Sequence, residues 1–419
     1  MDVKKKNLAC WVTYDFGNSF YVAALSGLFL GQWLILDNKL DDIWYGAAFS
    51  IATIFVLITS PFFGAWSDKI GKRMPFMKWT TYCLIFFLGL MSIISFTEIS
   101  LFAKAMIILV LFTIVQYLYQ TNLIFYNSLL EEVSDNSNRG KISGIGELFN
   151  NFGWLLATIV FLPFANGAIT IFGDPGRTQV FFPAFVISTI LALPLIFWFK
   201  EVKLKEKIVP DGSESVFKKT INGIKYLIHE DKNAGIFLLS FALLSDIALT
   251  INLYFAVVMD SLYHVDDTMK SFVFVITMVS AMIFNYVLGK LADVFGNKIV
   301  LMFTCLTFIA VTSVFFLSSS PWVLYLVAIF GGAGIGGFYA ITRSMMIKLA
   351  PPDKLGEYFG FYSTFQRFAS ITAPLIWGGI TLYLRDSGEL KYRVAGMTMV
   401  VLLIVGTLVL SKVREGEQD

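Results

Sequence analysis

Twelve stretches of this chain are each apolar over about 20 residues, the length an α-helix needs to cross the hydrocarbon core of a bilayer. They run over 8–36, 43–66, 76–96, 101–130, 142–171, 179–199, 234–262, 270–291, 299–318, 322–348, 356–384 and 393–411. They predict an all-α integral membrane protein with twelve transmembrane helices. Composition agrees: 15% of residues are charged and 57% hydrophobic, whereas a soluble domain carries roughly a quarter charged residues. The 42 Phe and 9 Trp suit lipid-facing and interfacial surfaces.

Connections between the segments are short except at 200–233, where Lys200, Lys203, Lys205, Lys207, Lys218 and Lys219 surround Pro210-Asp-Gly-Ser. The expected organisation is an N-terminal six-helix half over 1–199, a cytoplasmic linker over 200–233 and a C-terminal half over 234–419. Within the linker, Phe217, Ile221, Ile224, Leu227 and Ile228 form an apolar stripe opposite lysines, the pattern of an amphipathic helix on a membrane surface. With both termini on one side, the loops and tails on that side hold 22 of the 32 Lys and Arg and the opposite loops seven. That bias is expected to put the termini and linker in the cytoplasm, and the expected location is the cell membrane. The lysines after Met1 resemble a signal-peptide start. The apolar run behind them contains Asp15 and Asn18 and ends without a small-residue cleavage site, so it is expected to stay as the first helix.

Polar residues sort the helices. Segments three, six, nine and twelve have no charge in their membrane cores, as lipid-facing helices should. Segment one carries Tyr14, Asp15, Asn18 and Tyr21; segment four Gln116, Gln120 and Asn127; segment five Glu147, Asn150, Asn151 and Trp154. These read as one wall of an aqueous cavity, or as interhelical hydrogen-bond glue worth about 1 kcal/mol each. In the C half, Asp246 and Arg367 lie near the centres of segments seven and eleven. An unpaired charge at that depth is costly, so the two are expected to face each other. Arg367 also offers a planar fork of donors to an anionic group on a solute. Asp15, Glu147 and Asp246 are the carboxylates placed to take up a proton within the membrane. Gly331-Gly-Ala-Gly334-Ile-Gly336-Gly337 lacks the Lys-Ser/Thr of a nucleotide loop and reads as a close-packed helix face.

Two loops repeat. Gly64-Ala-Trp-Ser-Asp68-Lys69-Ile-Gly71-Lys72-Arg73 recurs 225 residues later as Gly289-Lys290-Leu-Ala-Asp293-Val-Phe-Gly296-Asn297-Lys298. Both have Asp four residues after one Gly and three before the next. Asn127-Ser128 and Arg343-Ser344 repeat at an offset of 216, as do Gly144 and Gly360. The loop pattern resembles the signature of the major facilitator superfamily, which implies two six-helix halves and alternating access. By that resemblance Gly64, Asp68, Gly71 and Arg73, with Gly289, Asp293 and Gly296, belong to a cytoplasmic gate. Asp68 would hold the eleventh helix near Gly356, and Arg73 would join Glu131 or Glu132. Trp11-Val-Thr-Tyr14-Asp15-Phe-Gly17-Asn18-Ser19, Tyr126-Asn127-Ser128-Leu129-Leu130 and Glu357-Tyr-Phe359-Gly360-Phe361-Tyr362 are similar to motifs of the vacuolar amino-acid effluxer-like, autophagy-related family. Asn297 in place of the first copy's Lys72 departs from the charged pattern.

The expected function is secondary active transport of a small polar solute, amino acids first, coupled to protons. The rivals are a cation-coupled sugar carrier using sodium, a lipid or drug exporter, and a non-transporting scaffold or receptor. The expected partners are the solute, protons or sodium and the bilayer, with a monomeric protein and no nucleic acid. No cofactor, metal site or enzyme activity is implied: Cys10, Cys83 and Cys305 are widely spaced, and His229 and His264 have no neighbouring ligand.

Overall fold

A computed structural model describes residues 3–135, 138–201, 226–227, 230–351, 354–368 and 370–415, without the side chains of 65, 68, 139–141 and 355–357. All regular structure among them is helical. The membrane-length helices are α1 (Val3–Val22), α2 (Asp42–Ile70), α3 (Met74–Ser95), α4 (Leu101–Ser128), α5 (Arg139–Ala165) and α6 (Phe181–Trp198). After the linker come α7 (Lys232–Tyr263), α8 (Asp267–Phe295), α9 (Asn297–Leu317) and α10 (Val323–Leu349). The chain ends with α11 (Leu355–Phe368), α12 (Thr372–Tyr383) and α13 (Leu390–Ser411). Eleven crossings are single runs long and apolar enough to span a bilayer. The twelfth, expected as one helix over 356–384, is made by α11 and α12 together. Most of the linker, with most of its expected amphipathic helix, lies outside the described residues.

The break between α11 and α12 has a local cause. Pro374 has no N–H to give the carbonyl four residues earlier, and its ring disfavours helical backbone there. The chain leaves the helix at Phe368 and re-enters it at Thr372. Helix α1 is irregular for a different reason. It continues past Val22 through two π-helical turns, Ala23–Gly27 and Trp33–Asp37, which no Pro in that stretch announces. Such wide turns displace side chains from helical register and recur at functional sites.

The chain divides into two compact units, Met1–Leu40 with Ile51–Glu214, and Asp41–Ser50 with Ser215–Asp419. Helix α2 is therefore shared: its first turns belong to the second unit and the rest to the first. In the first unit, α1 packs against α5 and α6, and α3 against α4 and α6. Trp11 stacks on Tyr126 with ring centroids 4.7 Å apart and donates its indole N–H to the Tyr126 carbonyl at 3.1 Å. In the second unit, α10 packs on α8 and α9, and α7 on α11 and α13. The glycine run of α10 makes the first contact possible. A Cβ on Gly332 would lie 2.3 Å from the Thr277 carbonyl oxygen, and one on Gly336 2.3 Å from that of Ala281.

Candidate functional site

In the first unit, the polar residues divide into two groups. Tyr14 is 2% exposed, and its hydroxyl donates to Asn122 Oδ1 at 2.9 Å and lies 3.0 Å from Thr81 Oγ1. Gln116, 3% exposed, accepts from Tyr21 at 2.8 Å and from Ser26, in the first π turn, at 3.2 Å. Gln120 donates to Thr53 at 3.0 Å, tying α4 to α2. The expectation that Tyr14 and Gln116 line a cavity is corrected: both are spent on interhelical bonds that bind α1, α3 and α4. Gln120 is likewise an interhelical tie, although half-buried. Asn122, wholly buried, is the hub of this network, donating to Thr80 at 2.9 Å and Thr81 at 3.0 Å. In a segment that also holds Gln116, Gln120 and Asn127, the sequence gives no signal that Asn122 is the one that carries this role.

The second group stays together. Asp15 is buried and faces Glu147 and Asn150 on α5 and Tyr126 on α4. Ser19, one turn on, donates to the Asn150 carbonyl at 2.9 Å. Asn18 is buried with no hydrogen bond to its Nδ2 among the described residues. Glu147 is exposed, while Asn150, Asn151 and Trp154 are half-buried along the same helix. Two carboxylates, Asp15 and Glu147, and the Asn150 amide thus meet between α1 and α5.

In the second unit, Asp246 and Arg367 do not form an ion pair. Asp246 Oδ2 instead accepts from the Ala373 amide at 2.8 Å, and the Thr372 amide also reaches the carboxylate. The carboxylate therefore caps the N-terminus of α12 across the break, where helix-end N–H groups and the macrodipole favour a negative charge. Its Oδ1 is buried without a hydrogen bond, as is the neighbouring Ser245 Oγ. The carbonyl freed at Ile371 accepts from Ser50 at 3.0 Å. Arg367 ends α11, half-buried, with no ionic partner among the described residues. Arg343, exposed on α10, lies beside Tyr339 and Tyr362.

The repeated loops share a device that the sequence does not advertise. In the first, Glu201 receives the amides of Arg73 at 2.5 Å and Met74 at 3.0 Å. In the second, Glu415 receives those of Asn297 at 2.9 Å and Lys298 at 2.8 Å. Each loop turns through a glycine of positive φ, Gly71 at 67° and Gly296 at 88°, which a side chain would strain. Each also bonds the matching serine of the 216-residue repeat. Arg73 Nη1 donates to the Ser128 carbonyl at 2.7 Å, and Asn297 Nδ2 to Ser344 Oγ at 3.1 Å. Arg73 further meets Glu131 at 3.4 Å. A Cβ at Gly64 or Gly289 would meet nothing within 4 Å among the described residues. Asp293 is exposed, and the side chains of Asp68 and Gly356 lie outside the described set. For Glu415, burial works against ionisation. The Lys298 amide, the Lys348 ammonium and the Asn297 amide outweigh it and hold the carboxyl below the ordinary glutamate value.

The chain is similar to several known proteins. Residues 236–418 match the family model described as Major Facilitator Superfamily. The uncharacterized MFS-type transporter YxiO of Bacillus subtilis is 22% identical over 97% of this chain and 94% of its own length. Autophagy-related protein 22 of Saccharomyces cerevisiae is 23% identical over 45% of this chain and 37% of its own length. Among solved structures, a mutant of the nucleoside transporter NupG superposes with a TM-score of 0.75 at 15% identity, covering 98% of this chain and 99% of that one. The chain has the major facilitator fold, and its second half, residues 236–418, resembles the Major Facilitator Superfamily.

Proposed function

We propose that the chain moves a small polar solute, amino acids first, by proton-coupled alternating access across the cell membrane, as a monomer with cytoplasmic termini. The observation that carries this reading is the Asp246 carboxylate capping α12 across the break in the eleventh crossing. Discontinuous helices at membrane depth are where transporters of this architecture build their sites. A proton on Asp246 removes the charge–dipole attraction at that cap, worth up to about 2 kcal/mol in partly buried geometry. Proton occupancy is thereby coupled to the position of α12. Asp15 and Glu147 supply a second pair of titratable groups, with Asn18, Asn150, Asn151 and Trp154 as solute contacts. Arg367, lacking an ionic partner among the described residues, takes an anionic group of the solute.

Asp68, Asp293 and Arg73, with the loop glycines, form the cytoplasmic gate, braced by Glu201 and Glu415. Amino acids come first because the motif resemblance around Tyr14–Ser19 and Tyr126–Leu130 is to amino-acid effluxers.

The test is uptake of a labelled amino-acid mixture into proteoliposomes with and without an imposed pH gradient, with nucleoside and sugar panels alongside. Gradient-stimulated uptake that Asp246→Asn abolishes supports the reading. Uptake driven by sodium and indifferent to pH, or none from folded protein, overturns it.

A further inference from the structure

The first turns of α2 hold a carboxylate for which the transport reading has no use. Asp42 is 1% exposed, and its side chain lies in a box of aromatic residues from three helices of the second unit. Trp377 of α12 presents its indole N–H to Oδ1 at 3.5 Å, and Tyr392 of α13 its hydroxyl to Oδ2 at 3.4 Å. Tyr254 of α7 donates to the Asp42 backbone carbonyl at 2.9 Å and stacks on Trp377 with ring centroids 5.0 Å apart. Tyr45, on α2 itself, meets Tyr254 edge-on at 6.1 Å. The facing charge is Lys391, whose ammonium is 3.9 Å from Oδ2 and whose side chain is 21% exposed.

The box is tightly built around a loosely held charge. A Cβ on Gly46 would lie 2.4 Å from the Tyr254 hydroxyl, and one on Gly378 2.5 Å from Ile43 Cα, so backbone and ring are in direct contact. Charge-assisted hydrogen bonds to a carboxylate normally measure about 2.7–2.9 Å; all three side-chain contacts of Asp42 are longer. The indole and the ammonium are donors only. A protonated Asp42 forfeits the charge both of them face, leaving the buried indole N–H and the part-exposed ammonium weakly matched, which is costly in a low-dielectric site. Lys391 gives the group its route to solvent.

We propose that Asp42 is a proton-binding site at the end of α2 opposite the termini, and that taking up a proton there releases the first turns of α2 from the aromatic box. Its place in a transport cycle rests on the carrier reading above; the site itself does not. The experiment uses the full chain in lipid nanodiscs. Infrared difference spectra are recorded between mildly alkaline and mildly acidic buffer for wild type, Asp42→Asn, Asp15→Asn, Asp246→Asn and Lys391→Met. In parallel, spin labels at the exposed positions 44 and 383 report the separation of α2 from α12.

The expected result is a carboxyl band that appears on acidification, survives Asp15→Asn and Asp246→Asn, and disappears in Asp42→Asn. Lys391→Met should move its midpoint to higher pH by at least tenfold in proton concentration. The label separation should widen on acidification in wild type and stay fixed, at the wider value, in Asp42→Asn. A band unaltered by Asp42→Asn, or a separation indifferent to pH in wild type, overturns the proposal even if solute uptake is found. A titrating band and moving labels uphold it even if every solute panel fails, which would strike the carrier reading alone.

Discussion

Glu415 Oε2 accepts the backbone N–H of Lys298 at 2.8 Å, the second of two amides that this one carboxylate holds at the start of α9. Its carboxyl is held below the ordinary glutamate value, near 4.3, by the Lys298 and Asn297 amides and Lys348, against the opposing effect of burial. A depressed folded value contributes stability above the unfolded one, lost as pH falls through the folded one. Thermal unfolding of Glu415→Gln should therefore fall below wild type at neutral pH, with the gap closing under strongly acidic conditions. A gap of the same size at both would mean that the side chain's shape, not its charge, braces the loop.

Asp246→Asn keeps a capping oxygen and loses the charge; Asp246→Ala loses both. The first should cost up to about 2 kcal/mol, the charge–dipole attraction at the cap, and the second about 1 kcal/mol more, the usual value of an N-cap oxygen. Flux should lose its pH dependence in both. Thermal unfolding set beside flux profiles separates the structural share of this residue from its coupling share.

Gly336 of α10 and Gly289 of α8 should respond in opposite ways to alanine. Gly336→Ala drives a Cβ to 2.3 Å from the Ala281 carbonyl oxygen, an overpacking of about 1–3 kcal/mol. Gly289→Ala meets open space within α8 and should leave stability unchanged or raise it by up to about 1 kcal/mol through helix propensity. Detergent-solubilised melting curves for the two variants check both signs.

Arg367→Ala should leave the melting temperature within error of wild type, because no ion pair among the described residues is lost. Uptake of anionic or zwitterionic solutes should fall, through KM more than through maximal rate, and Arg367→Lys should recover part of it. Loss of stability in the alanine variant would show that the guanidinium is structural.

The helices are legible in the sequence because each apolar run has one physical outcome at that length in lipid. Their ends fall within a few residues of the observed ones at α3, α9 and α10. The break at Ser370–Ile371 is only half legible: Pro374 marks the place, but a proline inside an apolar run is also tolerated as a kink, as Pro61 is within α2. Polar residues at helical spacing reveal which helices carry them and not what they bond to. Tyr14 and Asp15 are neighbours in sequence, yet one is locked to Asn122 and the other opens towards α5. Glu201 and Glu415 escape notice because they sit just past helix ends among other charges, where only the fold brings them to the amides they cap. Asp42 escapes for the same reason, as a charge at the edge of an apolar segment that reads as a loop residue.

The division of α2 between the two units bears on how the protein is made. Residues 41–50 are synthesised early, yet the surfaces they dock on, around Tyr254, Trp377 and Tyr392, follow more than two hundred residues later. Through most of translation and membrane insertion Asp42 has no native neighbour from those helices, and the second unit cannot close until its last hairpin emerges from the ribosome. A gene split at the linker would accordingly yield a C-terminal fragment missing a piece of its own interior, one that only the N-terminal fragment can return.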